Sequence, residues 1–165
     1  MKNIILALFL LFSFINCGGN KEDLKALLGT DANHDGVRDD VKEKIDQKYK
    51  TKLLRAYMMD AAKVYQKILR EPTSKAVETQ KEISRIISCK LYLKRQDNYV
   101  REHSLEFLDN IKNYTLNTKK RMKKYLDYNQ ALSGGAYGGG WDDQTNEACS
   151  EGVKKILKAM KASKK

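Results

Sequence analysis

Apolar residues recur at three- and four-residue steps along most of this chain. From Asp39 onward, Val41, Ile45, Tyr49, Leu53, Tyr57, Ala61, Val64 and Ile68 make one stripe, and Leu54, Met58, Tyr65 and Leu69 widen it. The spacing predicts one long helix closed by Pro72, whose ring ends one helix and suits the first turn of the next. That next helix carries Val77, Ile83, Ile86, Ile87, Cys89 and Leu93. After a turn at residues 96–98, a third stripe runs through Val100, His103, Phe107, Ile111, Tyr114, Thr118, Met122 and Tyr125. It reads as one helix, or as two broken near residues 115–118. Residues 133–145, "SGGAYGGGWDDQT", form a Gly-rich loop. Cys149, Val153, Ile156 and Met160 mark a last helix with Cys149 on its buried face. Runs of β-branched residues are absent. The expectation is an all-α fold, a small bundle of four to five helices over residues 30–165, entered through a short polar segment that Gly29 stops.

The helical pattern is interrupted once near the N-terminal end, at "DANHDGVRDD", residues 31–40. Counted from Asp31, side-chain oxygens fall at positions 1 (Asp31), 3 (Asn33), 5 (Asp35) and 9 (Asp39), with Gly36 at 6 and the Val37 carbonyl at 7. These are the first nine positions of an EF-hand loop, in which alternate residues of a tight turn point inward together. The expected ligand is Ca²⁺, held at a weak site, because position 12 is Lys42 where a bidentate Glu is usual. Asp40 and Glu43 flank that position as candidates to complete the site. A structural role alone is the competing account. Asp39 and Asp40 suit a helix N-terminus, and Asp35-Gly36 suits an ordinary turn.

The stretch "LLGTDANHDGVRDDVKEKI" and the later "LNTKKRMKKYLDYNQALSGG" resemble segments of a group of small bacterial envelope lipoproteins. Those proteins carry a single EF-hand-like or thrombospondin type 3-like D-x-N-x-D-G-V-R-D-D loop leading into a helix. The resemblance covers about a quarter of the chain. It implies calcium at Asp31, Asn33, Asp35 and Asp39, and no activity comes with it.

The first sixteen residues, "MKNIILALFLLFSFIN", have a basic start and an apolar run too short for a membrane span and suited to a signal peptide. Cys17 follows, then two glycines, as in the lipobox of bacterial lipoproteins, although Phe14 and Asn16 stand where Leu and a small residue are usual. Residues 1–16 are therefore read as a signal peptide, Cys17 as the acylated residue, and residues 17–29 as the anchored entry segment. Three cysteines are an odd number for an exported chain; with Cys17 lipidated, Cys89 and Cys149 remain to form one disulfide. The expected location is the cell envelope, with the membrane reached through the lipid and the outer membrane as the default.

The chain carries a formal net charge of +11, and all but Lys2 of that excess lies beyond Cys17. Outside the cytoplasm, such a balance points to anionic lipid or cell-wall polymer as partner and away from nucleic acid. The densest basic run, "KKRMKK" at residues 119–124, reads as a solvated helix face around an inward Met122. His103 reads as a packed core histidine, and His34, at loop position 4, as outward-facing. The Gly-rich loop lacks the Lys-Ser/Thr end of a phosphate loop and follows a helix. No nucleophile, base and orienting group stand in a recognisable set. The expectation is a lipid-anchored, calcium-stabilised binding or structural module and not an enzyme. An envelope hydrolase, its active site assembled from residues distant in sequence, is the alternative.

Overall fold

The structure is a computed structural model that describes residues 21–137 and 140–163; the expected signal peptide and Cys17 lie outside the described residues. Among the described residues the fold is all-helical, with seven helices: α1 (Lys21–Leu28), α2 (Asp39–Lys48), α3 (Lys52–Arg70), α4 (Ala76–Gln96), α5 (Asn98–Thr115), α6 (Lys119–Ala131) and α7 (Glu151–Ala162). The count exceeds the expected four to five because the entry segment forms α1 and both long stripes divide.

The long first stripe is two helices. Tyr49 is extended, and Thr51 starts α3 by accepting the Leu54 N–H at 3.2 Å. Arg55 Nη1 donates to the Tyr49 and Lys50 carbonyls, both at 3.0 Å, so the end of α2 keeps its hydrogen bonds through the break. The apolar stripe runs on regardless, because both helices bury the same side against α5. The third stripe also divides. Asp97 opens α5 by accepting from Val100, and Thr118 opens α6 by accepting from Arg121, with Leu116 buried between them. The capping pair Thr118–Arg121 fixes the break at the place the sequence suggested.

α3 is the central helix. It is buried nearly all round, through Leu53, Leu54, Tyr57, Met58, Ala61, Ala62, Val64, Tyr65, Ile68 and Leu69, and it touches each of the other six helices. A helix apolar on every side must be enclosed. Phe107 of α5 meets Tyr49 edge-on at a ring-centroid distance of 5.6 Å. Ile86, Cys89 and Leu93 of α4 and Val153 and Leu157 of α7 complete the core. Among the described residues the core runs from Leu27 to Leu157.

Cys89 and Cys149 are joined in a disulfide across 60 residues of sequence. In the chain-entropy account, closing a loop of that size contributes about 4 kcal/mol. Cys149 differs from expectation in one respect. It is buried just ahead of α7 and not on it, and α7 turns Val153 and Leu157 inward while Met160 is exposed. On α4, Val77 and Ile87 are likewise exposed, and Tyr92 and Thr79 take inward places.

Burial raises the Tyr49 and Tyr128 phenols to about 12 and pushes Tyr57 and Tyr65 up as well. A raised folded-state value means stability that is intact below pH 10 and lost as pH climbs through the folded-state values. A spectrophotometric titration of tyrosinate should therefore be biphasic. Exposed tyrosines ionise first, and these four ionise together with loss of helical circular dichroism. A single smooth titration with the helices intact would contradict this burial.

Candidate functional site

Helix ends leave carbonyls without partners. α1 stops because Gly29 turns left-handed (φ +74°) and its N–H returns to the Lys25 carbonyl at 2.8 Å. The last carbonyls are taken by side chains. Arg121 Nε donates to Leu27 O at 2.8 Å, Arg121 Nη2 to Ala26 O at 3.3 Å, and Gln66 Nε2 to Leu28 O at 2.8 Å. α5 ends the same way, with Arg38 Nη2 donating to Tyr114 O at 3.0 Å and Arg38 Nη1 to Thr115 O at 3.3 Å. The two guanidiniums meet on one acceptor, Asn117 Oδ1, 3.2 Å from Arg38 Nη2 and 2.6 Å from Arg121 Nη1. Arg38 is 3 % exposed and Arg121 8 %. Asp40 pairs with Arg38 through both oxygens.

This arginine node suits its chemistry. A cation is favourable at the negative end of a helix, and here two helix ends share two cations. A planar guanidinium reaches several carbonyls at fixed angles, which a lysine does not. Burial and the neighbouring Arg38 charge push Arg121 below its usual value, and Asp40 opposes them. Burial raises the Asp40 carboxyl, but the Arg38 hydrogen bond and the charges of Arg38, Arg121 and Lys44 outweigh it and hold the group below its ordinary value. Gly29 fits here for a second reason. A Cβ at Gly29 would sit 2.0 Å from the Arg38 Cδ, so the arginine stem crosses bare backbone.

The Asp-rich loop lies directly on this node and joins α1 to α2. Asp31 Oδ1 accepts the Asp35 N–H at 3.1 Å and Oδ2 the Gly36 N–H at 3.0 Å. Asn33 Oδ1 also accepts from Asp35 N–H at 3.1 Å, and Asp35 Oδ1 accepts from Val37 N–H at 2.9 Å. Asp39 reaches back to the Ala32 N–H, while its own N–H closes the loop onto Thr30 O at 2.8 Å. Gly36 takes the left-handed bend at position 6 (φ +87°), and His34 faces out as expected, itself left-handed at φ +55°. Val37 turns its side chain into the core.

No protein-family model matches this chain, and no curated protein or solved structure matches it either. The site is therefore read from its own geometry. Among the described residues, no three His, Cys, Asp or Glu side chains converge as a group that could hold a metal. Within the loop, the carboxylate oxygens already meet backbone N–H donors, which relieves their mutual repulsion without an ion. Both candidates to complete the site are engaged elsewhere, Asp40 with Arg38 and Glu43 with Gln47 Nε2 at 3.0 Å, and Lys42 at position 12 pairs with Asp46. What the loop offers a cation is four side chains and the Val37 carbonyl, short of the six to eight oxygens Ca²⁺ prefers.

The basic run departs from expectation. Arg121 is buried in the node, Met122 faces outward, and Tyr125 and Tyr128 take the inward side of α6. His103 sits at the edge of the α5 stripe, stacked on Tyr99 at 4.2 Å with Nδ1 bonded to Tyr99 O at 3.0 Å, while Ser104 and Phe107 turn into the core. The Gly-rich segment runs along α4. Gln80 Nε2 donates to Tyr137 O at 3.4 Å, Ser88 Oγ to Trp141 O at 3.5 Å, and Arg95 pairs with Asp143 at 3.0 Å. Arg85 binds Asp60 through both carboxylate oxygens and donates to Ala148 O at 2.9 Å, holding the residue next to the disulfide. Two open grooves flank α7. One of about 620 Å³ is lined by Lys154, Lys155, Lys158 and Lys161, and one of about 610 Å³ by Leu53, Ile156, Ala159 and Met160.

Replacing Arg38 or Arg121 by Ala leaves helix-end carbonyls unpaired, and each change should lower unfolding free energy by about 3 kcal/mol in a urea melt. Gly29→Ala should cost more than about 1 kcal/mol, through its left-handed backbone and the displaced arginine. Asp40→Asn should flatten the acid limb of stability. A depressed carboxyl contributes stability above its unfolded value near 4, and that share is lost as pH falls through the lower folded-state value. Variants with unchanged melts would show that the node is incidental.

Proposed function

We propose that this chain is a lipid-anchored helical module of the bacterial envelope, braced by a weakly bound calcium ion, that works by binding or structural support. The observation that carries this reading is the pairing of Cys89 with Cys149. A buried disulfide belongs to an oxidising compartment, and it uses two of the three cysteines. The third, Cys17, follows an apolar leader at the place a lipid would occupy. The resemblance to small envelope lipoproteins supports the same assignment. Asp31, Asn33, Asp35 and Asp39 with the Val37 carbonyl would hold the ion. Its two positive charges would offset most of the charge of three carboxylates and stiffen the bend between α1 and α2. With Lys42 at position 12, the affinity belongs in the range of about 10⁻⁴ to 10⁻³ M, which suits the outside of a cell.

Two measurements test the two parts. An alkyne fatty acid fed to cells expressing the full chain should label it, and Cys17→Ser should abolish the label; an unlabelled wild type removes the anchor. Calcium at about 5 mM should raise the melting temperature by roughly 2–4 °C, as mass action gives for a site near 1 mM in a domain of this size. Asp31→Ala plus Asp35→Ala should remove that gain. A wild type indifferent to millimolar calcium ends the metal reading.

A further inference from the structure

The described fold begins at Lys21, four residues after Cys17. Four residues span at most about 14 Å when fully extended. A lipid on Cys17 therefore keeps the first turn of α1 within that distance of the bilayer, whatever the rest of the molecule does.

The surface at this end has the chemistry a bilayer selects. α1 buries Leu27, but Leu24, one turn earlier on the same side, is 51 % exposed and is followed by exposed Lys25. Lys120 Nζ donates to Asp23 Oδ1 at 2.7 Å, which fixes the lysine-rich first half of α6 beside α1. α6 turns Arg121 and Tyr128 inward, so at 100° per residue Lys119, Lys123 and Leu126 fall on its outer side. Leu126 is 58 % exposed. The acids nearby are paired, Asp23 with Lys120 and Asp127 with Lys123 at 3.5 Å.

Resting on the lipid-anchor reading, we propose that this α1–α6 edge is a docking face for anionic lipid headgroups. Lysine ammoniums meet lipid phosphates, and Leu24 and Leu126 enter the apolar side of the headgroup region. Long lysine stems lie along that boundary while their charges stay in water. The face binds by itself, and the anchor strengthens the contact by making it intramolecular. α7 is also rich in lysine, but the Cys89–Cys149 bridge holds the segment ahead of it to α4, whereas the chain from Cys17 enters the fold at α1.

The test uses residues 21–165, once a cooperative melt has shown that they fold, sedimented with vesicles of phosphatidylcholine alone or with about one quarter phosphatidylglycerol. The face predicts binding to the anionic vesicles only, and loss of binding at about 0.5 M salt. Lys119→Gln plus Lys123→Gln should weaken it about thirtyfold, at the usual contribution of a lysine near such a surface. Leu126→Ser should weaken it further, whereas Lys154→Gln plus Lys158→Gln on α7 should leave it unchanged. All of these positions are on the surface, and unchanged melts confirm folding. Equal losses from the α6 and α7 pairs overturn the face, as do equal binding to neutral vesicles and binding to wall sacculi alone. Fatty-acid labelling of the full chain separates the two ideas. Label absent with lysine-dependent vesicle binding intact removes the anchor and retains the face; label present with binding indifferent to α6 removes the face.

Discussion

The last carbonyls of a buried helix must find donors, and in this fold two arginines supply them for two helices at once. Arg121 closes the end of α1 and Arg38 the end of α5, and Asn117 ties the guanidiniums together. Four elements hang on these two side chains: the consecutive α1, Asp-rich loop and start of α2, and the distant α5–α6 junction. α1 is eight residues long, too short to be stable by itself. Its order comes from the donors of Arg121 and Gln66 and from the burial of Leu27 against the bundle.

The rest of the molecule is held differently. There α3 supplies the apolar centre, and the disulfide fastens the segment ahead of α7 to α4. Arg85 repeats on a smaller scale what the node does, neutralising Asp60 and donating to the Ala148 carbonyl beside Cys149. Disulfide, apolar centre and arginine node divide the work, and the proposed membrane and calcium surfaces both lie at the node end. That placement links stability to function. A change in the node should loosen the loop and the α1–α6 edge before the core about α3.

The parts legible in the sequence were those set by periodicity. The inward faces of α3 and α5 follow directly from apolar spacing, because burial is what the pattern encodes. The break at Tyr49 was not legible, since a stripe that serves one core continues across a reversal between two helices. Thr51, a good cap residue inside a helical pattern, was the available signal. Arg121 was hidden in a run of lysines and was taken for surface. Its identity was the clue, because one arginine among lysines marks a place where fixed, multiple donors matter. In the Asp-rich loop, spacing located the bend, the left-handed Gly36 and the outward His34. Spacing did not show that the loop's own backbone N–H groups meet the carboxylate oxygens, or that Asp40 belongs to Arg38. Both are contacts between near neighbours in the loop, and side-chain direction rather than spacing decides them.

The most direct test of the node is native-state hydrogen exchange on Arg121→Gln, read amide by amide. The account predicts that the amides of α1 and of the first turns of α6 lose protection, while those of α3 and α4 keep theirs. Uniform loss across all helices, or α1 protected as in the unaltered chain, would contradict it.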